Sequence, residues 1–132
     1  MAFKGPSPIK WTFIASADLS ALQYTFVKLT TTGQIAACTA LTDVPLGVLL
    51  DKPTSGQTAE VILAGIIKVK CGAALTPSTT VAIGTDTTGR AIGLTLADTA
   101  TKFSVGFPIQ VSTAANQLVT CVIDCTNPNR AA

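Results

Sequence analysis

No histidine occurs anywhere in the 132-residue chain. Its absence removes the usual general base, the commonest neutral metal ligand and any Ser-His-Asp or Cys-His arrangement. Charge is scarce as well: Asp, Glu, Lys and Arg make up 12% of the residues, against roughly 25% in an average domain. The carboxylates Asp18, Asp43, Asp51, Glu60, Asp86, Asp98 and Asp124 are spread singly beside turns and strand ends. That is the pattern of solvated loops, not of a paired acid and base. The basic residues are also scattered, the net charge is +2 and aromatics make up only 5%. A basic stripe with stacking platforms, as nucleic-acid binding requires, is therefore missing. No apolar run approaches the roughly 20 residues of a membrane-spanning helix, and the start of the chain lacks the layout of a signal peptide. No enzyme, cofactor or metal is expected, and neither nucleic acid nor membrane as a partner.

Cysteine is sparse too. Cys121 and Cys125 are not spaced as CxxC, and Cys38 and Cys71 have no neighbour at zinc-knuckle spacing. On a strand, Val119, Cys121, Ile123 and Cys125 share one face, and small buried hydrophobes are the expected role. The run from Gly84 to Gly89 followed by Arg90 and Ala91 echoes a phosphate loop. However, Arg replaces the required lysine and Ala the metal-binding hydroxyl. A hairpin turn is expected there, with Asp86 and Gly89 taking the unusual backbone angles.

What the chain does have is apolarity: 48% hydrophobic residues and a mean hydropathy of +0.50. With so little charge to cover its surface, it should expose apolar patches, and large ones mark partner interfaces. An oligomer or an assembly component is expected. Residues 44–70 organise the chain as two apolar runs joined by turn chemistry at Lys52, Pro53 and Gly56, the second run being broken at Gly65. Residues 16–22 offer an N-cap and one or two helical turns. Elsewhere short β-branched runs alternate with Gly, Pro and Thr turns. These predict an all-β fold, a small β-sandwich or barrel of short antiparallel strands.

A faint internal repeat runs through this pattern. Thr31-Thr32-Gly33-Gln34 matches Thr87-Thr88-Gly89-Arg90 at an offset of 56 residues. Leu46-Gly47-Val48 matches Val105-Gly106-Phe107 at 59, each glycine preceding a hairpin. Two halves of similar topology would give this signal. Residues 1–16 read as an extended N-terminal arm ahead of one β-rich domain, residues 17–132. Gly5-Pro6-Ser7-Pro8 bars regular structure, and Ile9, Trp11 and Phe13 then alternate with polar residues. Two roles suit this arm: an edge strand closing the domain, or a segment that docks on a partner by strand addition. Phe3, Ile9, Trp11 and Phe13 are the candidate partner-binding residues.

Taken in order, several blocks resemble bacteriophage capsid cement (head decoration) proteins. They are Ala17-Asp18-Leu19-Ser20 with Gln23-Tyr24 and Phe26-Val27-Lys28-Leu29, then Pro45-Leu46-Gly47-Val48-Leu49 with Lys52-Pro53. Glu60-Val61, Gly65-Ile66, Lys68-Val69-Lys70, Ala73-Ala74-Leu75-Thr76 and Thr88-Gly89-Arg90-Ala91 continue the set. One departure is Pro77-Ser78-Thr79, where many relatives have Gly-Asp. The resemblance implies a small β-rich virion protein, usually trimeric, made in the host cytoplasm. It would sit on the outer capsid surface at three-fold positions, bridging major capsid protein subunits to stabilise the shell. The alternative is a β-sandwich binding module of carbohydrate-binding or adhesin type, with Trp11 and Tyr24 as its only aromatic platforms.

Overall fold

A computed structural model describes residues 8–95, 102–126 and 129–130. Among these there is no helix, and the all-β expectation holds. The strands are β1 (Ile9–Ile14), β2 (Phe26–Leu29), β3 (Ile35–Ala37), β4 (Gly47–Leu49), β5 (Thr58–Lys70), β6 (Ile83–Thr85), β7 (Ala91–Gly93), β8 (Phe103–Ser104), β9 (Gly106–Pro108), β10 (Leu118–Asp124) and β11 (Asn129–Arg130). The main sheet runs β3-β2-β4-β5-β10-β9-β6-β7, with β1 added on β5, and curls into a half-barrel. A small ribbon pairs β11 with β8.

This strand order is the internal repeat made visible. Hairpin β2-β3, then β4, then the first half of β5 is matched by hairpin β6-β7, then β9, then β10. Strand β1 pairs with the first half of β5 as the second half of β5 pairs with β10. The chain is thus an N-terminal repeat, residues 9–64, and a C-terminal repeat, residues 65–124. Their hydrogen bonds coincide. Ala15 N–H donates to Gln57 C=O as Cys71 N–H does to Gln117 C=O, both at 2.9 Å. Ser16 N–H donates to Ile35 C=O at 2.9 Å, and Gly72 N–H to Ala91 C=O at 2.8 Å. Gly33 and Gly89 close the two hairpins with φ of 80° and 83°, the left-handed region open to glycine without a Cβ penalty.

Three corrections to the sequence reading follow, from β5, the turn before β2 and the β6-β7 turn. Gly65 does not split its segment: β5 is one 13-residue strand. The glycine instead takes φ 138° where Pro8 crosses it, a Cβ there lying 3.0 Å from Pro8 Cβ, and the β1 register shifts between Ile9 and Lys10. The close approach expected at Gly65 is present, but the break is not. Residues 16–22 form turns, not helix, because Leu19 N–H is claimed by Pro53 C=O at 2.9 Å and Leu19 is drawn into the core. At the β6-β7 turn only Gly89 takes positive φ. Asp86 acts through its carboxylate instead, accepting from the Thr88 and Arg90 N–H groups at 2.8 and 2.9 Å.

The core is two clusters, one on each face of the N-terminal repeat's sheet. Val27, Leu49 and Val61 face a cluster completed by Ala15, Leu19, Ile35 and Ala59. Their strand neighbours Phe26, Val48 and Ile62 face the other way, into a cluster shared with Val69, Leu75, Ile83, Val119, Cys121 and Ile123 of the C-terminal repeat. A sheet buried on both faces needs apolar residues at consecutive positions, which Phe26-Val27, Val48-Leu49 and Val61-Ile62 supply.

The cysteines are free and buried, as their sequence context predicts. Burial, the leading cause at each, pushes Cys38, Cys121 and Cys125 up to about 12 from 9.0. A thiol reagent at pH 8 should therefore leave these three unlabelled in the folded protein and label them promptly once it unfolds. Above pH 9 the unfolded thiols ionise while the buried ones resist until about 12. Their contribution to stability is intact below pH 9 and declines across that window. Prompt native-state labelling of any of the three would contradict the packing described.

Candidate functional site

The candidate residues of the arm separate once placed on β1. Antiparallel pairing sets Trp11 opposite Val61 and Phe13 opposite Ala59, so these two share the face that leads into the first core cluster, while Ile9 lies beyond the register shift, opposite Ala64. Phe13 reaches that cluster and is half-buried against it. Trp11, two residues nearer the rim, stays 68% exposed, and Ile9 is also exposed. Trp11 lines a shallow groove with Lys10, Thr12 and Glu60. A Lys10–Glu60 contact of 3.8 Å between exposed side chains crosses it, and such pairs contribute little. Phe3 lies outside the described residues. Strand β1 is thus an edge strand of the domain, and it also presents an apolar rim.

A second surface lies where the repeats meet. Lys70 N–H donates to Tyr24 C=O at 2.8 Å, and Phe26 N–H donates to Gly89 C=O at 2.7 Å. The β6-β7 turn that offers this carbonyl is held rigidly. Arg90 Nε donates to Asp86 Oδ2 at 2.9 Å and Arg90 Nη1 to Asn116 Oδ1 at 3.0 Å. Burial works to raise the Asp86 pKa, but the hydrogen bonds from Thr88 and Arg90, with the Arg90 charge, outweigh it and hold the carboxyl below 3.8. A groove of about 450 Å³ follows the seam, lined by Ser20, Gln23, Tyr24, Lys52, Lys70 and Asn116.

The third surface is one the sequence reading missed. On the outer face of the C-terminal repeat, register places Phe107 beside Val122 and Val122 beside Ile66. Phe107, Ile109, Val111, Leu118 and Ile66 are 44 to 63% exposed. Val81, just before β6, is the most exposed large hydrophobic residue described, at 74%. The overall shortage of charge predicted such a patch but not its place. Among the described residues no group of three or more Cys, Asp or Glu side chains is placed to hold a metal ion.

Together these features define a class: a curled antiparallel sheet built from two fused repeats, with an apolar edge strand and an apolar outer face. No family model matches the chain and no curated protein matches it. Among solved structures it is similar to the head fiber gp8.5 N base of bacteriophage phi29, with a TM-score of 0.65 and 20% identity. That similarity covers 96% of this chain and 99% of the phage one. At this identity the likeness shows a shared fold along nearly the whole of both chains.

Proposed function

We propose that this chain is a structural protein of a bacteriophage head: a non-catalytic decoration or cement protein on the outer surface of the shell. It would assemble as a homo-oligomer, a trimer in the usual arrangement of such proteins, and bridge copies of the major capsid protein. The observation that carries this reading is the fold, shared almost end to end with the base of a phage head fiber. The ordered motifs that resemble capsid cement proteins point the same way. The surface agrees with both, because exposed apolar residues on a chain with few charges suit a protein that spends its working life covered. The shell contact falls to the arm, with Phe3, Ile9 and Trp11 as its apolar contacts, and Phe13 anchoring β1 inward.

Separating particles from the source lysate on a density gradient tests the reading. The expected result is this chain in the capsid band at near-stoichiometric amounts beside one major shell protein. Adding purified Trp11→Ser protein to shells stripped of it should then give at least tenfold weaker occupancy, since Trp11 is a large exposed aromatic of the kind that anchors interfaces. The chain staying at the top of the gradient, absent from intact particles, would overturn the proposal and favour the surface-binding module.

A further inference from the structure

The two repeats are equivalent in fold but not in what covers them. In the N-terminal repeat Thr25, Val48 and Ile62 are 2%, 0% and 2% exposed, because the C-terminal repeat packs over them. At the same positions the C-terminal repeat has Val81, Phe107 and Val122. Val81 and Phe107 are 74% and 45% exposed, and Val122 is half-buried. The backbone repeats the contrast. Tyr24 C=O and Phe26 N–H are used in the seam, whereas nothing among the described residues pairs with their counterparts, Thr80 C=O and Ala82 N–H. The C-terminal repeat therefore carries the docking face that its twin uses inside the chain, with no described residue seated on it as the C-terminal repeat is on its twin.

The matching receptor is also open. Within the chain, the face docks on Lys70 N–H and Gly89 C=O. The N-terminal counterparts are Ile14 N–H and Gly33 C=O. Ala15 N–H points into the sheet toward Gln57, so by strand alternation the Ile14 N–H points the other way, to the side of β1 on which Ser16 N–H meets Ile35 C=O, as Lys70 N–H does beside Gly72 and Ala91. No described residue donates to Gly33 C=O. One end of the molecule thus offers an acceptor and a donor, Thr80 C=O and Ala82 N–H. The other end offers the complementary donor and acceptor.

We infer that the occupant of the open face is a second copy of this chain, seated head to tail so that the seam between the repeats is continued from one molecule to the next. The Ile14 N–H of one copy donates to Thr80 C=O of its neighbour, and the neighbour's Ala82 N–H donates to Gly33 C=O. Val81, Phe107 and Val122 are covered as Thr25, Val48 and Ile62 already are. The joint is heterologous, with different surfaces meeting, and such joints close into rings when the rotation permits. It locates the self-contact of the homo-oligomer proposed above, but it stands on the chain's own repeat and needs no shell.

Light scattering on the purified protein, with no shells present, is the test. The wild type should run as an oligomer. Val81→Asp combined with Phe107→Asp should run at the monomer mass of 13.5 kDa. Ile14→Pro, which removes the outward N–H on an edge strand that tolerates proline, should also be monomeric. Mixing the two variants should restore a dimer and nothing larger, since each still offers one good surface. A wild type that is monomeric at its highest attainable concentration overturns the joint, as does an oligomer that survives both sets of changes. A mixture that stays monomeric although both variants keep their β circular dichroism also overturns it. If the aspartates unfold the chain, Val81→Ser with Phe107→Ser takes their place. Shell occupancy is measured separately, so the joint and the head-protein reading can fail independently.

Discussion

Replacing Gly47 or Gly106 with alanine is expected to cost about 3 kcal/mol or more in each case, and the two losses should be similar. The two glycines are counterparts, each opening the strand that lies against the long strand of its repeat. A Cβ on Gly47 would overlap the Ile62 carbonyl oxygen and lie 2.7 Å from Val61 Cγ1. On Gly106 it would overlap the Val122 carbonyl oxygen and lie 3.0 Å from Ile123 Cα. The obstacles are mostly backbone atoms of paired strands, which no rotamer change can relieve. The strands themselves would have to part, unpairing β4 from β5 or β9 from β10. Thermal unfolding followed by circular dichroism checks this, with Gly33→Ala as the control. At Gly33 a Cβ would meet nothing within 4 Å, and only the φ of 80° opposes a side chain, at about 1–2 kcal/mol. A Gly106→Ala protein as stable as wild type, beside a crippled Gly47→Ala protein, would mean that the two halves do not share this packing.

That pair of glycines also marks how far the sequence could be read. The Thr-Thr-Gly turns and the Gly47 and Gly106 blocks were legible as an echo because turn and close-approach positions constrain residue type tightly. The rest of the repeat was not legible, because its equivalent positions constrain only size and polarity. Ala15 and Cys71 both pack buried at matching places, and so do Ile35 and Ala91. Nothing in their identities reveals the match. One further signal was present and passed over. Gln57 Oε1 accepts from Thr54 N–H, and Gln117 Oε1 from Thr113 N–H, both at 2.8 Å. Aligning those two Thr-to-Gln turns would have tied the ends of the repeats together.

The candidate site divides in the same way. Alternation along residues 11–13 puts Trp11 and Phe13 on one face, opposite Val61 and Ala59, since period two is a local property; the register shift before Lys10 interrupts it at Ile9. That Phe13 packs against the first core cluster while Trp11 remains exposed depends on where the other members of that cluster fall, which is a tertiary matter. The outer patch around Phe107 was hidden for another reason. Apolar residues on both faces of a strand announce burial on both sides, and in the N-terminal repeat that is what happens. Phe107-Pro108 and Cys121-Val122 make the same announcement in the C-terminal repeat, yet among the described residues nothing covers the side of Phe107 and Val122 as the C-terminal repeat covers Val48 and Ile62. An apolar face with no cover is a statement about assembly.

The contrast between covered and uncovered counterparts leads to the second large effect, at Phe26. Phe26→Ala is expected to destabilise the chain by about 3–5 kcal/mol, lowering the melting temperature by on the order of 10 °C. Phe26 is fully buried and is the largest side chain in the cluster that joins the two repeats. Its backbone is fixed from both sides, by pairing with Val48 and by the hydrogen bond to Gly89 C=O. Little collapse into the vacated space is therefore possible, and the cost should sit in the upper part of that range. Phe107→Ala removes a side chain of the same size from the counterpart surface. In the isolated chain it should cost less than about 1 kcal/mol, because the ring is already 45% exposed. The useful comparison is how the two losses respond to protein concentration. The Phe26 loss arises inside the chain and should not change with dilution. The Phe107 loss should be small in dilute solution and grow as concentration rises, because only association buries that ring. Equal, concentration-independent losses at the two positions would mean that Phe107 is already covered within a single molecule.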